Sequence, residues 1–467
     1  MKPTLSAAVL FALSFVTPSP AQTTPKSATP EKHVSKITCV IAGRLFDGTS
    51  NNLREKSIIV IEGDRIQRVD PASASGIPPG ADVIDLSGST VLPGLIDCHT
   101  HLQNRADRYD ELYDFKDTPF NHAFAAVVNA RKTLEAGFTT VRDVGSDPFL
   151  AVDLRNSIDE GLVVGPRIVA SGPGISITGG HGDLNNYSPQ TRVMMFPEER
   201  DYSIADGVDQ IRHVVRAQVK YRVDVIKIMA TGGVLSRGDS PGAPQYTLEE
   251  LKAAAETAHM AGRKIAAHAH GTQGIKNAIL AGIDSIEHAS LLDEDGIRLA
   301  REHGTYLVMD IYNDDYILSE APKFGLTEEK LNKEKAIGRL QRESFEKAVK
   351  AGVKMAFGTD SGVYPHGDNA KQLAYMVKYS MTPAQAIRSA TSDAADLIGR
   401  SQDVGSIQPG RFADIIAVEG DPLADVSSLE HVTFVMKGGA VIINSAGALR
   451  TGSKRAPGEP QSSGEAK

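Results

Sequence analysis

The pentapeptide Asp97-Cys98-His99-Thr100-His101 closes the apolar run Val91-Leu92-Pro93-Gly94-Leu95-Ile96, which reads as a buried strand. Side chains two positions apart on a strand share a face, so His99 and His101 can turn two imidazoles toward one metal ion at the strand's carboxyl end. Alone, such a pair reads equally well as two polar residues satisfied at a strand terminus. Further ligand-type residues follow along the chain: Lys227, His268, His288 and Asp360, each near the end of another strand-like run. Of these six residues, only Lys227 is not a ready ligand. A protonated ammonium cannot bind a metal, but beside two divalent cations the charged form is strongly disfavoured. A neutral lysine amine can take up carbon dioxide to become a carbamate whose two oxygens bridge two metals. The alternative for Lys227 is an interior lysine paired with a carboxylate.

The elements that must position these residues alternate between strand and helix. Strand-like runs fall at 91–98, 138–144, 166–171, 224–230, 264–270, 284–289, 305–311 and 354–360. Helical periodicity appears between them, as at 123–136, 205–221, 248–261 and 330–351, and several of these stretches end in a glycine that suits a helix terminus. Eight such repeats predict an α/β fold, a (β/α)8 TIM-type barrel with its active residues at the carboxyl ends of the strands. A doubly wound sheet is the alternative. Short strand patterns at 38–42, 57–62, 65–69 and 83–86, and again at 414–418, 432–437 and 440–443, predict a small β-sandwich module formed from both chain ends. The expected layout is a signal peptide over 1–21, a linker over 22–36, the β module over 37–90 and 404–450, the barrel over 91–403 and a disordered tail over 451–467.

At 467 residues, 41% hydrophobic and 23% charged, the composition is that of a globular protein with a substantial core. A net charge of -8 without basic clusters gives no reason to expect nucleic acid as a partner. Lys2, the apolar stretch Leu5 to Val16 and Ser19-Pro20-Ala21 form a secretory leader with cleavage expected after Ala21. That places the mature chain in the periplasm or outside the cell, with no membrane association after cleavage. Cys39 and Cys98 read as buried thiols, with a bond between them left open.

Pro93-Gly94-Leu95-Ile96-Asp97-Cys98-His99-Thr100-His101, Val225-Ile226-Lys227-Ile228, His268-Ala269-His270-Gly271, Ile286-Glu287-His288-Ala289 and Gly358-Thr359-Asp360-Ser361 together resemble the motif set of the amidohydrolase superfamily. The resemblance is closest to its prolidase-like branch of binuclear metallo-carboxypeptidases and Xaa-Pro dipeptidases, which includes ochratoxin-degrading amidohydrolases. It spans nearly the whole mature chain. It implies two divalent metal ions, zinc by family habit, with His99, His101 and Asp360 on one, His268 and His288 on the other, and carboxylated Lys227 bridging. It also implies His268 rather than His270 as the ligand of that pair, and homo-oligomeric assembly. Histidine and carboxylate ligands by themselves suit zinc, manganese, cobalt and iron alike.

The reaction expected from such a centre is hydrolysis of the amide bond of a dipeptide or N-acyl amino acid, aryl amides such as ochratoxin A included, by a metal-bridging hydroxide. Asp360 serves as general base as well as ligand. His181, in the glycine-rich loop Thr178-Gly179-Gly180-His181-Gly182, is placed to reach the substrate carbonyl or carboxylate. Arg237 and Tyr246, after the fourth barrel strand, are candidates to bind a terminal carboxylate, with solvated or packing roles as alternatives. A mononuclear deaminase or cyclic-amide hydrolase of the imidazolonepropionase type is the competing enzyme class, disfavoured by Lys227 and by the His268-Ala269-His270-Gly271 sequence. A catalytically inactive barrel acting as an interaction protein is the competing non-enzyme class, disfavoured because all six ligand positions are filled.

Overall fold

Segments from the amino-terminal and carboxy-terminal parts of the described residues meet in one sheet. The computed structural model describes residues 36–71, 76–195, 199–446 and 448–450; the expected signal peptide, all of the linker but Lys36, and the expected tail lie outside the described residues. Strands β1 (Ile37–Leu45), β2 (Arg54–Glu62), β3 (Arg65–Pro71) and β4 (Asp82–Pro93) come from the amino-terminal part. The barrel strands that follow are β5 (Leu95–Thr100), β6 (Phe138–Asp143), β7 (Arg167–Ala170), β8 (Val225–Met229), β9 (Lys264–Ala269), β10 (Ser285–His288) and β11 (Tyr306–Val308). The carboxy-terminal strands are β12 (Ile415–Val418), β13 (Val432–Lys437), β14 (Ala440–Asn444) and β15 (Ala448–Arg450). The module has the order β14-β13-β12-β4-β1-β2-β3, with β15 also on β4. Its interior packs Ile59, Ile61, Ile84 and Leu86 against Ile415, Phe434 and Met436, so neither end of the chain buries its apolar face without the other.

Every residue of β5 and of β6 is buried, the pattern of strands covered on both faces by a barrel interior and an outer ring of helices. The parallel set β5-β6-β7 and the parallel set β8-β9-β10-β11 are joined at two seams. At the first, Asp224 N donates to Ala170 O (2.7 Å), Ile175 N to Lys227 O (2.8 Å) and Met229 N to Ile175 O (2.8 Å). At the second, residues 354–360 lie between β11 and β5: Ala356 N donates to Leu307 O (3.0 Å), Cys98 N to Phe357 O (2.9 Å) and Asp360 N to His99 O (2.7 Å). The eighth strand expected there bonds to both neighbours but is not a regular strand, because its end turns into the left-handed region at Asp360 (φ 55°).

A second difference concerns the run at 91–98. It is two strands: β4 ends at Pro93 in the module and β5 starts at Leu95 in the barrel. The break between the two strands falls at Gly94, whose N–H bonds to Asp414 O (2.9 Å) while Leu95 N bonds to Gly137 O (2.9 Å). Helices Pro119–Glu135, Leu150–Asp159, Val208–Lys220, Leu248–Met260, Thr272–Leu280, Glu294–His303 and Glu328–Lys350 follow successive barrel strands. Cys39 and Cys98 are free and buried in separate apolar clusters.

Candidate metal centre

The strands deliver His99, His268 and His288 from the carboxyl ends of β5, β9 and β10, Lys227 from the middle of β8, His101 from the residue after β5, and Asp360 from the closing segment. All six line one pocket, joined by His181 and His270. His99, His288 and Asp360 each offer a ligand atom within 4.8 Å of the others, and so do His268, His270 and His288. Asp360 Oδ1 lies 3.1 Å from His101 Nε2 and 3.5 Å from His99 Nε2.

The outer nitrogen of nearly every imidazole is tied to an oxygen acceptor. His99 Nδ1 meets Glu287 Oε2 (2.9 Å), His101 Nδ1 meets Gly145 O (2.8 Å), His288 Nδ1 meets Asp310 Oδ1 (2.8 Å) and His268 Nε2 meets Gly232 O (3.2 Å). A carbonyl or carboxylate can only accept, so these partners assign the ring protons outward and leave lone pairs on Nε2 of His99, His101 and His288 and on Nδ1 of His268. Two such lone pairs then face a carboxylate oxygen of Asp360, an arrangement that calls for a cation or a proton between them. His270 differs, since its Nδ1 partner is the Ser290 hydroxyl (2.8 Å), which can donate or accept and fixes no tautomer.

The electrostatics agree with a cation site. Burial, then the nearby Lys227, holds His99 well below the usual imidazole range; burial and the neighbouring imidazoles do the same to His268 and His270. Neutral imidazoles are the ligand form. Burial alone would raise Asp360, yet the rings of His99 and His101 hold its carboxyl far below the usual range. The Lys227 amine, pulled down to about 8 by burial against the pull of Glu287 and Asp360, has no hydrogen-bond partner for its buried Nζ. A buried amine without a partner is costly as an ammonium and suited to the neutral, carbamate-forming state. The donor set therefore fits a divalent metal centre.

Residues beyond the six ligand candidates hold this set in place. Arg142, fully buried, donates from Nε to Cys98 O (2.5 Å) and from its two terminal nitrogens to Ser285 Oγ (3.0 Å) and Glu287 Oε1 (2.9 Å), and Glu287 in turn holds His99. Asp97 accepts from His99 N (3.1 Å), Thr359 N (3.1 Å), Thr359 Oγ1 (2.6 Å) and Asn369 Nδ2 (2.8 Å), which locks the end of β5 to the closing segment. His288 and Asp360 both carry positive φ (69° and 55°), a conformation that non-glycine residues keep only when surroundings enforce it. The signal available in the sequence was a charge inside an apolar barrel strand, as in Val141-Arg142 and Ile286-Glu287.

The three expected substrate-binding residues divide. His181 reaches the pocket: its ring stacks on His268 (centroids 4.1 Å apart), and Gly233 permits this, because a Cβ there would lie 2.1 Å from His181 Nδ1. Ser236 Oγ gives its proton to Asp239 Oδ1 (2.6 Å), which Lys333 also holds (2.7 Å), so His181 Nδ1 donates to Ser236 Oγ (2.8 Å). Burial pushes this ring down to about 4. A neutral ring with its proton on Nδ1 offers an acceptor at Nε2, which suits a substrate N–H and not the carbonyl or carboxylate expected for it. Arg237 and Tyr246 are corrections. Arg237 sits half-exposed on Glu111 (2.8 Å), and Tyr246 is buried with its hydroxyl on Ala205 O (3.0 Å). Thr247 and Glu250 form a capping box, which puts Tyr246 just before the helix cap and turns it into the core cluster that also contains Leu251.

Residues 90–442 match the family model described as "Amidohydrolase family". The chain belongs to the amidohydrolase family. An ochratoxinase from Aspergillus niger is 33% identical over 425 residues, 87% of this chain and 86% of the relative. Among solved structures, a Xaa-Pro dipeptidase with methionine bound in its active site is 37% identical with a TM-score of 0.82, covering 88% of this chain and all of that one. A prolidase complexed with N-methylphosphonate-L-proline is 31% identical with a TM-score of 0.80, at 88% and 100% coverage. This amidohydrolase is a hydrolase with the barrel and β-sandwich architecture of those neighbours, and its histidine cluster is compatible with the divalent metals of the family.

Proposed function

We propose that this amidohydrolase cleaves the amide bond between an acyl group and an amino acid, taking dipeptides, N-acyl amino acids and aryl amides such as ochratoxin A. His99, His101 and Asp360 would hold one divalent ion, His268 and His288 a second, and Lys227, carboxylated, would bridge them. The observation that carries this reading is the Lys227 Nζ, without a hydrogen-bond partner among the described residues, in a pocket lined by six imidazoles and Asp360. Of the two neighbouring histidines, His268 is the better ligand, because Gly232 O fixes its tautomer. The likeness to an ochratoxinase and a Xaa-Pro dipeptidase supports an amide as the scissile bond.

Bound metals would supply Lewis acidity and lower the pKa of a coordinated water. The chain's own residues then move protons and orient the substrate. Asp360 accepts the proton of the attacking water and returns it to the departing nitrogen. His181 Nε2, fixed as an acceptor by Ser236 and Asp239, receives the N–H of the scissile amide and aligns it. With the leader of residues 1–21, the same reading places the enzyme in the periplasm or outside the cell, as a homo-oligomer.

The test is a substrate panel for the zinc-loaded protein, with product analysis of dipeptides, N-acyl amino acids, ochratoxin A and a cyclic amide. Release of a free amino acid from the linear amides is expected. Turnover of the cyclic amide alone would assign the chain to the imidazolonepropionase type of chemistry.

A further inference from the structure

The helices that ring the barrel present two kinds of outer face. Val208–Lys220 exposes Asp209, Gln210, His213, Arg216 and Lys220, and Glu294–His303 exposes Glu294, Asp295, Arg298, Arg301 and Glu302, the polar outer stripe of a helix that meets water. Pro119–Glu135 differs. It buries Ala126, Asn129, Ala130, Thr133 and Leu134, yet the opposite face carries Phe120, Phe124, Val127 and Val128, all exposed, the two phenylalanines at 74% and 73%. At about 100° per residue these four fall in one stripe. A helix apolar on both faces has the pattern of one that is covered on both. Leu162 and Val164, also exposed (75% and 53%), belong to the loop after helix Leu150–Asp159. Gly165 holds that loop against the same helix, since a Cβ there would lie 3.2 Å from Ala130 Cβ.

The size and charge of this face say what covers it. At about 200 Å² for a whole phenylalanine, Phe120 and Phe124 leave exposed about 300 Å². With the four aliphatic residues the patch is on the order of 500 Å², toward the upper end for a monomer's largest apolar patch. One partner in a standard homodimer interface buries about 800 Å², of which about 65% is apolar. The patch therefore matches the apolar core of one such half. Residues 119–128 contain no acidic residue, lysine or arginine, and His122 among them is paired with Asp147 (2.5 Å). A face without cations does not suit an anionic lipid surface. Charges stand at its two ends: Asp117 precedes Phe124 by seven residues and Arg131 follows it by seven. A two-fold axis beside Phe124 sets Asp117 of one copy level with Arg131 of the other and opposes the two helix dipoles.

We propose that the outer face of helix Pro119–Glu135, with Leu162 and Val164, is a self-association surface whose occupant is the same face of a second copy of this chain, packed antiparallel about a two-fold axis near Phe124. The proposal is independent of the amide-hydrolase reading and gives the expected homo-oligomer its contact face.

The test is the mass of the full chain in solution by sedimentation and light scattering, for the unmodified protein, the double variant Phe120→Asp with Phe124→Asp, and Met260→Asp. Met260 is as exposed (84%) on another ring helix, Leu248–Met260, and serves as the matched control. At about 10 μM, where an interface of micromolar or tighter Kd is assembled, the unmodified chain and Met260→Asp should share one mass of two chains or more. The double variant, with an unchanged circular dichroism spectrum, should fall to half that mass or less, its Kd raised about a hundredfold or more by loss of two aromatic anchors. A monomeric unmodified chain overturns both this surface and the expected homo-oligomer, and flotation of that monomer with anionic vesicles would give the face to a membrane instead. An oligomer that the double variant leaves intact overturns this surface alone. Should the double variant fail to fold, Phe124→Cys decides, because Cys39 and Cys98 are buried and a short bis-maleimide then joins only like residues across the axis. A cross-linked pair upholds the proposal; its absence refutes it.

Discussion

Two buried glutamates, one inside a barrel strand and one on the pocket wall, are treated in opposite ways. Glu287 on β10 is fully buried, with Arg142 and Ser285 on one oxygen and His99 on the other. Glu334 on helix Glu328–Lys350 is nearly as buried but faces the pocket beside Asp314, with the nearest arginine shared between two aspartates. A paired buried charge fixes a geometry; an uncompensated one carries a cost unless a ligand supplies the partner. The difference is one of partners: Glu287, held by an arginine, sets the orientation of His99, and Glu334 is held by a hydrogen bond to the carboxyl of Asp314.

Three substitutions sharpen that comparison. Arg142→Met has the largest expected effect, because it strands the Glu287 carboxylate in the barrel interior, and loss of one partner of a buried pair costs about 3–5 kcal/mol; denaturant unfolding of the metal-free protein reads this directly. Asp310→Asn, which weakens the acceptor for His288 Nδ1, should lower metal affinity or activity about 10–100-fold, measured by chelator competition. Glu334→Gln should raise stability at neutral pH, since it removes a carboxyl that folding must protonate there.

Glu334→Gln also has a sign in pH. The carboxyl is raised from 4.5 to about 8 on folding, so the folded chain binds the extra proton between those values. The stability this contributes is present below about 4.5 and is lost as pH rises toward 8. The unmodified protein should therefore lose stability relative to the glutamine variant across that window. A constant difference would show that Glu334 has a counter-charge after all, and the comparison with Glu287 would collapse.

Five of the six ligand-type residues were legible because each falls at or just past the end of a strand-like run, and the strand ends of a barrel converge; Lys227 was legible as a charge inside the apolar run Val225-Ile226-Lys227-Ile228-Met229. The paired side of the mouth was partly legible: Arg142 and Glu287 are charges inside buried strands, and burial of a charge demands a partner. Thr247-Leu248-Glu249-Glu250 is a capping sequence, and the residue before such a cap packs against the helix's first turn, which is where Tyr246 lies. Arg237 was misread because the fold of its loop depends on Glu111, more than a hundred residues away. The role of His181 rests on the order Asp239, Ser236, His181, in which the direction of one hydroxyl decides the ring's tautomer. The pocket wall was the least legible part, since Asn313 and Glu334 come together only through the packing of Asn313–Ser319 against Glu328–Lys350. The split of 91–98 into two strands has a similar origin, in the meeting of β4 with the distant β12.

The most direct test of the bridged centre is elemental analysis of metal per chain on protein expressed with zinc and bicarbonate, for the unmodified chain and for Lys227→Ala side by side. About two ions per chain are expected in the first, with loss of metal and of amide hydrolysis in the second. One ion or none in an active unmodified protein, with the same content and activity after the substitution, would contradict the binuclear centre and remove Lys227 from it.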